Sequence, residues 1–215
     1  MDRELLKKGA LIFGVGLSEG QLDSFAALFD ELMRWNKQIN LTALKKSADI
    51  TIKHFIDSLS VAPLMGRGAR LLDIGSGGGF PVLPLAIARP DLHITSIDAV
   101  NKKILFQRHI IRLLKISSVE ALHVRAEDLA LKHGSFYDFV TSRAVSNLMA
   151  FIELATPFLS EEGKAISMRG ADGEQEVRDA ADEILATGFK VEQVLRYDLP
   201  HKMGRRILVV ASKVP

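Results

Sequence analysis

Apolar residues recur at helical spacing through the first part of the chain. Within residues 18–38 they repeat every three or four positions, and Ser18 with Gln21 fits the capping box that begins many helices. A second helical stretch is expected around 46–60. These patterns predict an all-helical cap over residues 1–65.

From residue 66 onward, short β-rich runs alternate with helical segments. Such alternation is typical of a doubly wound α/β sheet, so a Rossmann-like domain is predicted over residues 66–215. Only the last two strands lack an intervening helix, and they should pair as an antiparallel hairpin. The predicted strands are Arg70–Ile74, His93–Asp98, Glu120–Val124, Tyr137–Ser142, Lys164–Met168, Lys190–Leu195 and Arg206–Ala211, and the helices between them are 81–89, 101–114, 126–132, 146–158 and 173–187.

Composition narrows the classes of function. The 215 residues include no Cys, which excludes disulfides, thiolate metal sites and thiol nucleophiles. The His residues show no metal-ligand spacing, so no metal is expected, and no apolar run reaches the roughly 20 residues of a membrane span. We therefore expect a cytoplasmic protein. The net charge of +2 is too small to hold nucleic acid by overall charge, although the segment 71–125 is locally basic.

A glycine-rich turn, Asp73-Ile74-Gly75-Ser76-Gly77-Gly78-Gly79-Phe80, follows the first predicted strand. Ligands of open α/β sheets bind at this loop, where glycines such as Gly75 and Gly77 let the backbone approach them. Free N–H groups at the start of the next helix are expected to attract an anionic group. Phe80 stands where the dinucleotide-binding pattern requires its third glycine, which argues against a nicotinamide cofactor.

Asp98 ends the second predicted strand, 23 residues after Gly75. A carboxylate at this place can accept hydrogen bonds from ribose hydroxyls. It can equally cap the helix predicted over 101–114. Both interpretations stay open from the sequence.

These features, together with the helical cap, resemble the GidB/RsmG family of bacterial methyltransferases, which methylate N7 of a guanine in 16S ribosomal RNA. The resemblance implies S-adenosylmethionine as cofactor and a seven-stranded, mostly parallel sheet of the class I methyltransferase type. Three residues depart from the family pattern, namely Val82, Ala99 and Arg169. The matching residues are Trp35-Asn36, Asn40-Leu41-Thr42, His54-Phe55-Ile56-Asp57-Ser58, Asp73–Pro81 with Pro84-Leu85, Asp98 with Lys102-Lys103, Arg125-Ala126-Glu127 and Ser142-Arg143-Ala144.

The resemblance also implies roles for single residues. Gly75 and Phe80 would contact the cofactor in the turn, Ala126 and Glu127 would flank its adenine, and Arg143 would close the site. Glu127 could instead be an acid favoured by a helix N-terminus, and Arg143 could instead meet an RNA phosphate or simply lie on the surface. The cofactor-binding set predicted at this stage is Gly75, Gly77, Phe80, Asp98, Ala126, Glu127 and Arg143.

No catalytic residue is assigned from the sequence. Guanine N7 carries a lone pair and no proton, so its methylation needs alignment of the reacting atoms rather than a base. His54 and Asp57 lie three positions apart on one helix face, and we favour their docking the cap on the sheet over a catalytic pair.

The implied partner is 16S ribosomal RNA or the small ribosomal subunit, bound by a monomer. Two other classes stay open: a ribosome-assembly protein that binds RNA without catalysis, and a nicotinamide-dependent oxidoreductase. A small-molecule methyltransferase is a further alternative among enzymes. The basic residues that could contact RNA phosphates are Lys102, Lys103, Arg108, Arg112, Arg205 and Arg206.

Overall fold

The computed structural model describes residues 1–130, 134–143 and 147–214. Its chain begins with helix α1, Arg3–Leu11, which the apolar pattern does not predict. The side chain of Asp2 caps this helix by accepting from the N–H of Leu5 at 3.0 Å. Two of the three buried positions of α1 are Gly9 and Ala10, so its inward face carries little apolar signal.

The two predicted cap helices are both present. Helix α2, Glu19–Trp35, begins with the predicted capping box, in which the Ser18 and Gln21 side chains bond each other's backbone N–H groups. The second stretch comprises α3, Ser47–Ile50, a π-helical segment, Thr51–Ile56, and α4, Asp57–Leu59. The π-helical segment is not predicted by the sequence pattern, and π-turns within helices are frequent at functional sites.

One seven-stranded sheet follows, in the order β3-β2-β1-β4-β5-β7-β6. Strands β1 to β5 pair in parallel, whereas β7 runs antiparallel to both of its neighbours. The predicted doubly wound sheet with a terminal hairpin is therefore confirmed. The strands are β1 Arg70–Ile74, β2 His93–Asp98, β3 Val119–His123, β4 Tyr137–Ser142, β5 Leu159–Arg169, β6 Phe189–Asp198 and β7 Arg205–Lys213.

Five helices connect the strands, close to their predicted bounds. Positions 131, 132 and 146 of two predicted helices lie outside the described residues. A 3₁₀ turn, Thr156–Phe158, continues the fourth of these helices to the end predicted for it. The helices are α5 Val82–Ala88, α6 Asn101–Leu113, α7 Ala126–Ala130, α8 Leu148–Ala155 and α9 Gly173–Ala186.

Alternate side chains of each strand enter two different cores. In β1, Leu71 packs with the cap and with α5 and α6, whereas Leu72 packs with α7, α8 and α9 on the other face. Helix α5 lies between the cap and the sheet, and all of its residues are buried. The cap and the sheet thus share one core, and the division of the chain after residue 65 stays a prediction. None of the helices in the described part of the chain has the length and apolar character needed to cross a membrane.

Candidate functional site

The glycine-rich turn lies at the carboxyl edge of β1, where the strand order reverses between β1 and β4. Gly77 and Gly79 have φ angles of +58° and +84°, a region that side-chain-bearing residues rarely adopt. A Cβ added at Gly77 would meet no atom within 4 Å, whereas one at Gly79 would lie 2.5 Å from Leu83. The space beside Gly77 is therefore unoccupied at the sheet edge. At Gly79, by contrast, the absence of a side chain allows α5 to pack against the turn.

Most N–H groups of the glycine-rich turn are already used within the protein. Five of them donate to groups of the protein at 2.8–3.1 Å, and the residue before α5 is Pro81, which has no N–H. The predicted attraction of an anionic group to the N–H groups at the start of α5 stays a prediction. The bonds run from Gly75 and Ser76 to the Ile97 carbonyl, from Gly77 to Asp98 Oδ2, and from Gly79 and Phe80 to the Ser76 carbonyl.

A buried polar cluster supports the turn from the sheet side. Ser96 Oγ lies 2.6 Å from both Ser76 Oγ and Gln107 Oε1, and Gln107 Nε2 donates to the Gly77 carbonyl at 2.9 Å. The sequence reasoning missed this cluster. Its signal was Gln107, a polar residue three positions from the apolar Ile104 and Ile110 on the buried face of α6.

Asp98 connects the turn to helix α6. Its Oδ2 accepts from the N–H of Gly77 and its Oδ1 from the N–H of Val100, both at 2.8 Å, and Lys103 Nζ lies 3.8 Å away. The N-cap of α6 is Val100, and no side chain caps the helix there, so Asp98 is not the N-cap that the sequence allowed. Its contact with a ribose stays a prediction.

Ala126 and Glu127 begin α7, just beyond the end of β3. Ala126 is buried and Glu127 is exposed in the first helical turn, a position that the helix dipole favours for an acid. In the sheet register the end of β3, His123, lies beside Asp98. Both residues thus lie at the same sheet edge as the turn, and their contact with an adenine stays a prediction.

Arg143 follows β4 and joins the sheet to the cap. Its Nη2 lies 3.1 Å from His54 Nδ1, and its Nη1 lies 3.8 Å from Asp57 Oδ2. Nη1 is buried without a hydrogen-bond partner in the described part of the chain. The neighbouring Ala144 of the matched motif lies outside the described residues.

His54 packs flat against Phe80 of the glycine-rich turn, with ring centroids 4.3 Å apart and planes within 7° of parallel. Its Nε2 lies 2.7 Å from Thr42 Oγ1. Burial, and next the positive charge of Arg143, lower the pKa of His54 to about 3, so the ring is neutral. The Phe80 ring is only 7% exposed and its N–H donates to Ser76, so its predicted contact with a cofactor stays a prediction.

Asp57 is a buried carboxylate at the meeting point of four elements. Its Oδ1 accepts from the hydroxyl of Tyr197 at 2.9 Å and lies 3.6 Å from Arg206 Nε. Together with Arg143, these contacts join α4 to β4, β6 and β7. His54 and Asp57 therefore do dock the cap on the sheet, and Arg206, a predicted RNA contact, is paired within the protein.

Asn36 shapes the loop between α2 and α3. Its Oδ1 accepts from the N–H groups of Leu41 and Thr42 at 2.8 and 2.9 Å, and its Nδ2 donates to the Thr42 carbonyl at 2.9 Å. The loop thereby reaches the glycine-rich turn, because a Cβ added at Gly78 would lie 3.5 Å from the Leu41 carbonyl oxygen. The cap therefore overhangs the turn.

Asp73 is fully buried at the end of β1, and neither carboxyl oxygen has a hydrogen-bond partner among the described residues. Burial raises the pKa of Asp73 well above its usual range, Arg143 opposes this shift, and Asp98 adds to it. An acid without a partner is costly in a protein interior, so a functional reason for it is expected.

The remaining basic residues differ in their environment. Lys103 pairs with Asp98, and Arg108 Nε donates to the Ala121 carbonyl at 2.8 Å. Lys102, Arg112 and Arg205 are exposed. Lys102 and Arg205 begin α6 and β7 at the edge of the glycine-rich turn, whereas Arg112 lies at the far end of α6. Within the described residues no group of three or more His, Asp or Glu could hold a metal ion.

Comparison with known proteins places the chain in a family. Residues 21–203 match the model of the GidB family, described as rRNA small subunit methyltransferase G. A protein named Ribosomal RNA small subunit methyltransferase G from Geobacter sp. strain M21 is 45% identical over 211 residues, which cover 98% of this chain and 97% of that protein. A protein of the same name from Geotalea uraniireducens strain Rf4 is 43% identical over 212 residues, which cover 99% of this chain and 97% of that protein.

Solved structures agree with the fold. The M. jannaschii TYW2 structure in complex with AdoMet superposes with a TM-score of 0.59 at 16% identity, covering 80% of this chain and 78% of that one. A SAM dependent methyltransferase from Aquifex aeolicus gives the same score and identity, covering 80% and 96%. With the fold of such enzymes and a family match over most of its length, the chain belongs to the GidB family of small-subunit ribosomal RNA methyltransferases.

Proposed function

We propose that this protein transfers a methyl group from S-adenosylmethionine to N7 of a guanine in 16S ribosomal RNA. Family membership supports a methyltransferase of small-subunit ribosomal RNA. The observation in the structure that carries the proposal is a buried carboxyl group and a buried guanidinium nitrogen beside the glycine-rich turn. These are the Asp73 carboxyl and Arg143 Nη1, neither of which has a hydrogen-bond partner among the described residues.

This pair fits the amino-acid end of S-adenosylmethionine. That end carries an ammonium and a carboxylate, so Asp73 would hold the first and Arg143 the second. Arg143 is proposed for this role because five N–H groups of the turn are already bonded within the protein. When bound, the cofactor supplies an electrophilic methyl group on its sulfonium.

The remaining contacts follow from position along the same sheet edge. Gly75 and Gly77 would allow the backbone of the turn to approach the cofactor closely, and Phe80 would contact the cofactor at the end of the turn. Asp98 would accept from the ribose, and Ala126 and Glu127 would address the adenine edge. These residue roles are part of the proposal.

The chain's contribution to the reaction is positioning. Guanine N7 has an in-plane lone pair and no proton, so no residue is proposed as a base. Alignment of two reacting groups can lower a barrier by about 7–11 kcal/mol. Because A-form helices bury N7 in a deep, narrow groove, the target guanine should lie in a loop or be extruded from its stack.

We propose that the protein acts as a monomer and that its exposed cations beside the turn meet the RNA backbone. Lys102 and Arg205 are the two members of the predicted set that are both exposed and at this edge. Their charge would hold phosphates without reading sequence.

Mapping 7-methylguanosine in 16S ribosomal RNA tests the proposal. Cells that lack the gene should lose one such modification, and a plasmid copy of the wild-type gene should restore it. A plasmid copy carrying Asp73→Ala should not restore it, because the ammonium of the cofactor would lose its partner. An unchanged modification pattern in the deletion strain would refute the N7 assignment.

A further inference from the structure

The cap residue His54 lies between the glycine-rich turn and Arg143, the two parts of the site that come from the sheet. One face of its ring covers Phe80 of the glycine-rich turn, and its Nδ1 faces Arg143 Nη2 at 3.1 Å. Only 9% of His54 is exposed.

The contacts of His54 fix its tautomer. Arg143 Nη2 can only donate, so His54 Nδ1 must accept and cannot carry a proton. The ring proton then lies on Nε2, which donates to Thr42 Oγ1 at 2.7 Å. A neutral His54 can hold Arg143 in place, whereas a protonated ring would repel it.

A chain of hydrogen bonds leads from the cap to Arg143. Asn36 binds the backbone of the loop that carries Thr42, Thr42 accepts from His54, and His54 accepts from Arg143. Arg143 Nη1, the atom proposed to meet the cofactor carboxylate, is oriented by this bond and by Asp57 at 3.8 Å. Without His54, Arg143 would be free to turn fully toward Asp57.

We propose that His54 is a positioning residue for the cofactor: as the Nε2–H tautomer it fixes the direction of Arg143, so that the helical cap completes the cofactor site. This inference rests on the proposed function, in which Arg143 receives the cofactor carboxylate. It assigns His54 a role beyond docking the cap on the sheet.

Two substitutions separate the positioning role from simple packing. In His54→Asn the side-chain oxygen lies near the place of Nδ1 and can still accept from Arg143. In His54→Gln the longer side chain fills more of the space and reaches toward Thr42, but it leaves no acceptor near the place of Nδ1. If His54 only fills space, the Gln variant should bind the cofactor more tightly than the Asn variant. If His54 positions Arg143, the Asn variant should bind more tightly.

The dissociation constant of S-adenosylmethionine, measured by calorimetry without RNA, is the readout. We expect His54→Gln to weaken binding about tenfold or more, the effect of losing a hydrogen bond to a charged group. His54→Asn should stay within about threefold of the wild type on the same scale. Equal or weaker binding by the Asn variant would overturn the proposal.

A double-mutant cycle tests whether His54 acts through Arg143. On an Arg143→Ala background, His54→Gln should change the dissociation constant less than about twofold, because the group it orients is gone. If the two substitutions instead weaken cofactor binding by independent factors that multiply in the double variant, the inference is overturned. The methyltransferase proposal would stay intact. A wild-type protein that does not bind the cofactor would overturn both.

His109→Gln is the matched control. His109 also joins the cap to a sheet helix, with Nε2 2.6 Å from Glu31 Oε2, and its other contacts are with Arg34 and Trp35 of the same cap helix. Its substitution should lower the melting temperature and leave cofactor affinity unchanged. If a His54 variant does not fold, Thr42→Val removes the partner of Nε2, together with the acceptor of the Leu44 N–H. This variant should weaken cofactor binding more than His109→Gln does, and the reverse order would overturn the proposal.

Discussion

Gly77 and Gly188 share a backbone conformation but not a neighbourhood. Their φ angles are +58° and +79°, and an added Cβ would meet no atom within 4 Å at either position. Each of the two Ala substitutions should therefore lower the free energy of unfolding by about 1–2 kcal/mol. Only Gly77→Ala should also weaken binding of S-adenosylmethionine, because Gly188 lies between α9 and β6.

Urea unfolding and cofactor calorimetry on both Gly variants check this prediction. Gly188→Ala serves as the control for backbone strain alone. Equal cofactor affinity in the two variants would remove Gly77 from the binding site.

His54 should make the stability of the protein depend on pH. In the unfolded chain it protonates near its ordinary pKa of 6.5, whereas in the folded protein burial and Arg143 lower its pKa to about 3. Its contribution is thus present above pH 6.5 and is lost as the pH falls toward 3. The loss between pH 7 and pH 5 should be about 2 kcal/mol.

Urea unfolding of the wild type and of His54→Gln at both pH values measures this effect. The difference between the two proteins isolates one residue from all other groups that titrate. A difference that does not change with pH would contradict the neutral state assigned to His54.

Single residues of the site differ in how far the sequence reveals them. The glycines and Asp98 follow a predicted strand at known spacing, so a pattern can find them. The contact between Asp57 and Tyr197 joins segments far apart in sequence, and only the folded chain brings these together. Likewise, no pattern predicts that the Asp73 carboxyl lacks a partner.

Helix α1 depends on close packing at Gly9. A Cβ at this position would lie 2.2 Å from the end of the Ile56 side chain in the π-helical segment. Gly9→Ala should therefore push α1 away and lower the unfolding free energy by about 1–3 kcal/mol. The measurement is urea unfolding monitored by circular dichroism.

Gly20→Ala is the matched control in helix α2. An added Cβ there meets no atom within 4 Å, so the better helix propensity of Ala should raise stability by up to about 1 kcal/mol. Destabilisation of similar size by both substitutions would argue against close packing of α1.

Elements with long apolar patterns were predicted to within a few residues, including the order of helices and strands and the terminal hairpin. Helix α1 was missed because its inward face includes Gly9 and Ala10, which give a weak apolar signal. The π-helical segment was missed because five of its six residues are buried, so it shows no alternation of buried and exposed positions from which its period could be read. Both features depend on packing between elements.

Some of the exposed cations of the molecule lie at two opposite edges of the sheet. Lys102 and Arg205 lie at the edge of the glycine-rich turn, whereas Arg112 and Lys190 lie at the other, at the end of α6 and the start of β6. If RNA approaches the turn, a Lys102→Ala/Arg205→Ala double variant should lower the salt dependence of RNA binding by a slope of about 1–2.

Filter binding of 16S ribosomal RNA over a range of salt concentrations measures this slope. The Arg112→Ala/Lys190→Ala variant loses the same charge and should keep the wild-type slope. Equal slopes for the two double variants would place the RNA elsewhere on the surface.

Helix α5 has no residue that faces solvent. A helix that packs on an α/β sheet usually exposes its outer side, but here the cap covers that side. Polar substitutions are therefore costly at all seven of its positions. In a library of single variants selected for function, this short segment should tolerate almost nothing but similar apolar residues. Natural selection would then preserve it as strictly as the glycines before it, although none of its side chains needs to touch a substrate.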